Sequence, residues 1–239
     1  MTRRAGKMGK SLKNSISPDD LYAAYGADTL RLYEMAMGPL DVSRPWRTND
    51  VVGVHRFVQR LWRSIVSEET GQLAVTDTPL GDETARRLHR TITSVREDFG
   101  KLRFNIAIAE LIGLTSYAAR IAADAGGLPR QLAEPLVLMV APLAPHVAEE
   151  LWSRLGHSES LTYAAFPEAD EALAANPTVS LPVQVNGKVR FTIEVPASAD
   201  EAHIERELRS AGALTAATAG RDFARLVIVP GKIVSVVAR

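Results

Sequence analysis

Val51-Val52-Gly53-Val54-His55-Arg56-Phe57-Val58-Gln59-Arg60-Leu61-Trp62-Arg63-Ser64-Ile65 is the stretch on which the fold turns. Val51, Val54, Val58, Leu61, Trp62 and Ile65 recur at intervals of three and four, which makes one side of a 3.6-residue helix apolar. The spacing predicts an amphipathic helix from about Asn49, closed by Gly71. One apolar stripe must bury itself against others, so the neighbouring sequence should supply helical partners.

It does. A second helix is predicted over about Asp82 to Phe99, and a third from near Asn105, carrying Ile106, Ala109, Ile112, Leu114 and Ile121 to Gly126-Gly127. The third is rich in small residues, which suits a central position. Pro135, Pro142 and Pro145 interrupt the apolar segment Pro129 to Leu155, so a kinked or broken helical pair is expected there. Four to five helices with short connections make a bundle. Asn105 is expected to cap the third helix, Trp152 to face the apolar side of the last, and His146, just after Pro145, to be a backbone or packing partner.

Upstream, Ser17 is placed to cap a helix with Pro18 at its first position and Asp19 and Asp20 in its first turn, ending at Gly26. Another helix follows from about Asp28 through Leu30, Leu32, Tyr33 and Met37 to Gly38-Pro39, and Leu40 to Arg47 connects it to the bundle. Ahead of both lies Lys7-Met8-Gly9-Lys10-Ser11. Two ammonium groups and a hydroxyl on a short glycine-containing loop suit a triphosphate, whose charge the lysines neutralise while the loop moves. Such a run is also ordinary solvated surface, so its meaning depends on its context.

Downstream, Glu168 to Thr178 has no periodicity and reads as a linker. Val183-Gln184-Val185-Asn186-Gly187-Lys188-Val189-Arg190 is built around Asn-Gly, the dipeptide suited to a type I′ hairpin turn. A helix from about Ala199 to Ser210 and strands at Leu226–Val229 and Ile233–Val237 follow. The predicted fold is therefore mainly α, a helical bundle followed by a small α+β module of order β-β-α-β-β. Four segments are expected: 1–46, the loop with its helical connector; 47–167, the bundle; 168–178, the linker; and 179–239, the α+β domain.

Composition removes several functions. The 239 residues contain no cysteine, which excludes disulfide scaffolds and thiolate zinc sites. His55, His89, His146, His157 and His203 are scattered without ligand spacing, so no metal site is expected. No apolar run reads as long enough to cross a bilayer, and Met1-Thr2-Arg3-Arg4 lacks the apolar core of a secretion signal, so a soluble, unexported protein is expected. A net charge of zero means that any nucleic-acid site must be a local patch.

In this order of segments the sequence resembles leucyl-tRNA synthetase of the bacterial type, class Ia. Lys7, Met8, Lys10 and Ser11 match the KMSKS loop of class I synthetases, with Asn14 and Pro18 where the extended pattern has them; Gly9 departs from the usual serine. Gly26-Ala27-Asp28-Thr29-Leu30-Arg31-Leu32 is a further match, and Arg103-Phe104-Asn105 and Ala144-Pro145-His146-Val147-Ala148-Glu149-Glu150-Leu151-Trp152 are similar to the tRNA-binding bundle shared by the group with leucyl, isoleucyl and valyl members. Gly38-Pro39 leading to Ser43-Arg44-Pro45-Trp46, and Gln184 to Arg190, are similar to leucyl enzymes in particular. No HIGH-type motif, leucine pocket or editing domain is present, so the chain is expected to be a C-terminal fragment that does not catalyse alone.

The resemblance implies roles. Lys7, Met8, Gly9, Lys10 and Ser11 would contact ATP in the whole enzyme, with Lys7, Lys10 and Ser11 catalytic; ATP with Mg2+ and leucine would be bound only there. Lys188 and Arg190, just beyond the hairpin turn, would reach the backbone of tRNA-Leu. Arg56, Arg60 and Arg63 share one helix face, by default a solvated one, and are the next candidates for tRNA, with Arg86, Arg87, Arg90 and Arg96 a further cluster. A cytoplasmic monomer with no membrane partner is implied. Two alternatives remain open at this point: an isoleucyl or valyl enzyme, and a free-standing helical interaction protein.

Overall fold

The computed structural model describes residues 6–175, 178–197, 199–218 and 223–238; expectations placed on residues 1–4 and on 176–177 of the linker lie outside them. The chain forms two compact units, the first running to Ala174 and the second beginning at Ala175.

The first unit contains α1 (Pro18–Tyr25), α2 (Ala27–Ala36), α3 (Thr48–Ile65), β1 (Val75–Thr76), α4 (Asp82–Gly100), α5 (Phe104–Ala125), β2 (Leu128–Pro129), α6 (Arg130–Val140), α7 (Pro145–Arg154) and α8 (Glu171–Ala174). Helix α5 is the central element, touching α2, α3, α4 and α6. Leu21, Leu32 and Tyr33 from the first two helices join Val51, Phe57 and Leu61 of α3 and Leu111 and Leu114 of α5 in one apolar core. Burying each of these large side chains contributes roughly 1.5–3 kcal/mol. The segment that carries the basic loop is thus fastened to the bundle by shared core.

Polar contacts reinforce that junction. Thr29 Oγ1 donates to the Tyr25 carbonyl and lies 3.2 Å from His55 Nδ1 on α3, while Gln59 Nε2 lies 3.1 Å from the other ring nitrogen. From the same helix as Thr29, the buried Asp28 accepts from His146 Nδ1 at 2.8 Å and from the Val147 N–H at 2.7 Å, covering the start of α7. One turn on, Arg31 donates to the carbonyls of Leu143 and Pro142. Two residues of α2 therefore clamp the turn between α6 and α7. The packing role expected of His146 is this contact.

Several expectations need correction. Helix α3 stops at Ile65, because Val66 turns extended and bridges to Leu73 while Ala74 N–H bonds the Ile65 carbonyl; Gly71 lies beyond, in the intervening turn. Ser17 is the N-cap of α1 but makes no side-chain cap bond. Arg103, and not Asn105, is the N-cap of α5, and its guanidinium meets the buried Asp98 at 2.6 Å. The buried face of α5 runs through Ala107, Ile108, Leu111, Leu114, Thr115 and Ala118, whereas Ile106 is exposed. That helix also overturns the bilayer expectation: with 22 residues it is long and apolar enough, by length and composition, to cross a membrane. Here it is the middle of the bundle.

The kinked or broken pair expected is broken: α6, with Pro135 inside it, and α7, with Pro145 at its start, are separate helices. Trp152 is buried as expected, with the His157 ring stacked on it at 3.5 Å. Residues 168–174, expected in the linker, belong to the first unit, where α8 packs on α4 and the Asp170 N–H donates to His89 Nδ1 at 2.9 Å. Glu149 holds the turn after α7, accepting from Ser160 Oγ at 2.5 Å and from the Leu161 N–H at 3.0 Å. The Ser160 bond, first, and the Leu161 bond hold its carboxyl below the usual glutamate value.

The second unit contains β3 (Thr178–Val185), β4 (Lys188–Pro196), α9 (Glu201–Ser210), α10 (Gly212–Thr218), β5 (Phe223–Val229) and β6 (Ile233–Ala238). The module is therefore β-β-α-α-β-β, with one helix more than expected, and the overall class, a helical bundle with a small α+β module after it, stands. The sheet order is β4-β3-β6-β5, with parallel β3 and β6 at its centre and antiparallel outer pairs. Leu181, Val183, Val185, Val234 and Val236 line the face covered by Ile204, Leu208 and Leu214 of the helices. Asn186 at φ 50° and Gly187 at φ 80° form the hairpin turn, both in the left-handed region that a type I′ turn requires.

Candidate nucleic-acid interface

The basic loop is closed by one side chain. Asn14 accepts the Gly9 N–H on Oδ1 at 2.8 Å and donates from Nδ2 to the Lys7 carbonyl at 3.3 Å, while Leu12 N–H bonds the Gly9 carbonyl. A single-turn 3-10 helix, Lys10–Leu12, follows. This clasp fixes the backbone on both sides of Met8 and leaves Lys7, Met8 and Ser11 exposed. The Lys10 side chain lies outside what the structure describes. At Gly9 an added Cβ would meet nothing closer than Ser11 Oγ at 3.9 Å, so the serine usual at this position in KMSKS loops would fit. Sequence spacing alone carried no signal for the clasp.

The arginine face of α3 divides. Arg56 is exposed, whereas Arg60 Nη1 donates to Ser116 Oγ on α5 at 2.9 Å and Arg63 pairs with Glu68 at 2.7 Å. Arg60 and Arg63 line a groove of about 440 Å³ with Ser64, Ser67, Gly126 and Gly127, a concave surface with two cations and small-residue walls; Arg56 is not among its lining residues. Their present partners are a hydroxyl and a solvated carboxylate. Both are weak enough for a phosphate to compete with.

On α4, three members of the further cluster, Arg87, Arg90 and Arg96, are engaged elsewhere. The Arg87 guanidinium stacks over Tyr117 at 4.4 Å, and Arg96 lies over Phe166 at 5.0 Å and donates to the carbonyls of Phe166 and Pro167. Arg90 donates to the Arg86 carbonyl. These residues hold the bundle and the segment after it.

In the second unit Lys188 and Arg190 are exposed at the start of β4. Val183 pairs with Phe191 and the next residue, Gln184, with Val189, which leaves Arg190 as the extra residue of a β-bulge. A bulge re-aims the side chain it carries and twists the strand locally, a device that alternation alone does not reveal. Among the described residues no group of three or more acidic or histidine side chains converges as a metal-ion site.

A family model described as the anticodon-binding domain of tRNA ligase matches residues 83–206, more than half of the chain. The chain is 57% identical over 236 residues to leucine–tRNA ligase of Frankia casuarinae, covering 99% of this chain and 22% of that protein. With leucine–tRNA ligase of Nocardia farcinica it is 56% identical over 238 residues, covering 100% of this chain and 25% of that protein. The chain thus spans about a quarter of the length of these relatives. Agrobacterium radiobacter K84 agnB2 LeuRS, solved in a ternary complex with tRNA and LeuAMS, shares the fold with a TM-score of 0.76 at 24% identity, over 98% of this chain and 32% of that one. The family match runs from α4 of the bundle into α9 of the second unit, and with the relatives it shows that the chain belongs to the anticodon-binding domain family of tRNA ligases.

Proposed function

We propose that this chain is the C-terminal part of a leucyl-tRNA synthetase, the ligase that joins leucine to tRNA-Leu as ATP is cleaved to AMP and pyrophosphate. By itself it is a tRNA-binding module that does not activate leucine. The observation that carries this reading is identity of 57% over 99% of the chain with a leucine–tRNA ligase, well beyond what a shared bundle requires. The same observation weighs against an isoleucyl or valyl enzyme and against a free-standing helical interaction protein.

Two surfaces do the work. Lys188, and Arg190 on its bulge, meet the phosphate backbone of tRNA, with Arg56, Arg60 and Arg63 as a second contact. In the whole ligase Lys7, Met8, Gly9, Lys10 and Ser11 face ATP bound with Mg2+. Lys7 and Lys10 offset charge on the departing pyrophosphate, Ser11 offers a hydroxyl, and the Asn14 clasp holds the loop backbone for closure. Lysines and a hydroxyl suit phosphate oxygens, and the lysine ammonium groups, which have no lone pair, are not ligands for Mg2+. The working state is a cytoplasmic monomer without a membrane partner.

Aminoacylation by the parent ligase with leucine, isoleucine and valine in parallel tests this assignment. Leucine alone should be charged, and this chain alone should show no leucine-dependent exchange of pyrophosphate into ATP. Charging of isoleucine or valine in preference would overturn it.

A further inference from the structure

The loop between α2 and α3 carries a further cationic cleft. A cleft of about 380 Å³ is lined by Arg44 and Arg47 together with Tyr33, Met37 and Asp50. Elsewhere in this unit Arg31, Arg60, Arg96 and Arg103 are held by carbonyls, a hydroxyl or a carboxylate. Arg44 and Arg47 make no ion pair or side-chain hydrogen bond among the described residues, and both are exposed.

The backbone that displays them is fixed. The buried Tyr33 hydroxyl accepts the Arg47 N–H at 2.9 Å, and its ring meets Trp46 edge-on at 4.7 Å. Trp46 Nε1 in turn donates to Thr48 Oγ1 at 3.1 Å. At the other end, Gly38 at φ 151° has no side chain, and a Cβ there would lie 2.8 Å from Arg44 Nε, so the glycine makes the room in which that guanidinium sits. Two exposed planar forks thus line one cleft, with a single carboxylate, Asp50, among its lining residues to oppose them.

We propose that the Arg44–Arg47 cleft binds a backbone phosphate of RNA, adding a contact on the connector between the basic loop and the bundle. Guanidinium forks match phosphate oxygens in bidentate geometry, and the excess of one positive charge selects a polyanion over a neutral partner. The inference rests on the tRNA-binding reading above and extends it to residues that reading does not use.

The test titrates labelled tRNA-Leu onto this chain across a salt series. It compares the wild type with Arg44→Gln/Arg47→Gln, Arg44→Lys/Arg47→Lys, Asp50→Asn and, as reference, Lys188→Gln/Arg190→Gln. The glutamine pair should bind roughly 5- to 25-fold more weakly, with a shallower salt slope by about one per arginine. The lysine pair should keep most of the slope, and Asp50→Asn should bind more tightly. Helical circular dichroism reports whether each variant is folded; if the glutamine pair is not, the direction of the Asp50→Asn change decides. Wild-type affinity and slope in the glutamine pair, beside weakened binding in the hairpin reference, would overturn this site and leave the tRNA reading standing. Absence of binding by the wild type would overturn both.

Discussion

Replacing Asp28 by alanine should loosen the helical unit more than its position in the sequence suggests. The carboxylate is 7% exposed, accepts the Val147 N–H at 2.7 Å and meets His146 Nδ1 at 2.8 Å, 118 residues away. Losing a cap at a helix start costs about 1 kcal/mol, and losing a hydrogen bond to a buried charged group about 1.5–3 kcal/mol. The His146 side chain is 75% exposed, so its half of the contact is screened by water and contributes roughly 0.5 kcal/mol or less. The first two figures describe the same Val147 contact and are not added, so with the small His146 part the loss is about 2 kcal/mol for Asp28→Ala, a fall in melting temperature of about 4–8 °C for a unit of this size. His146→Ala should cost under about 1 kcal/mol, and Asp28→Asn, which keeps one acceptor for Val147, should fall between. Urea and thermal melts of the three variants measure the differences. A loss below about 0.5 kcal/mol in Asp28→Ala, or equal losses in Asp28→Ala and His146→Ala, would refute the reasoning.

Two glycines should respond oppositely to a side chain. At Gly127 a Cβ would lie 2.7 Å from Thr76 Cγ2 and 3.2 Å from the Ala74 carbonyl oxygen, where β2 meets β1, so Gly127→Ala should destabilise by about 1–3 kcal/mol in a melt. At Gly9 there is open space, and Gly9→Ser should leave the melt unchanged within about 0.5 kcal/mol. Glu149 sets a pH dependence. Its carboxyl is held below the ordinary 4.5 in the folded state, so the unfolded chain binds more protons in that window and stability rises with pH across it. The extra stability of the wild type over Glu149→Gln should be present near neutrality and should shrink as pH falls below about 4.5, through the lowered folded value, in paired melts. A difference that grew on acidification would contradict the Ser160 and Leu161 contacts as its cause.

Local rules carried most of the architecture and little of its fastening. The stripe on α3 and the Asn186-Gly187 turn were legible because both are written in consecutive residues. Helix α10 was not, since Gly212 to Thr218 holds small residues around a single leucine and shows no period. The face of α5 was misread because a line through Ile106, Ala109 and Ile112 steps by three and drifts off a 3.6-residue helix, whereas the buried set alternates three with four. The end of α3 is set by pairing across a short turn: the Val66 bridge to Leu73 stops it before any glycine. For the candidate sites, charge was visible and engagement was not. Nothing near Arg60 announces Ser116, and the bulge that singles out Arg190 exists only in the register of two strands.

The most direct measurement is the affinity of tRNA-Leu for this chain over a salt series, set beside the Lys188→Gln/Arg190→Gln variant and beside isoleucine and valine tRNAs. Binding that weakens steeply with salt, is reduced in the variant with a slope shallower by about two, and favours tRNA-Leu is the expected result. Binding indifferent to salt and to both substitutions, or no binding at all, would contradict the claim that these cations face a transfer RNA.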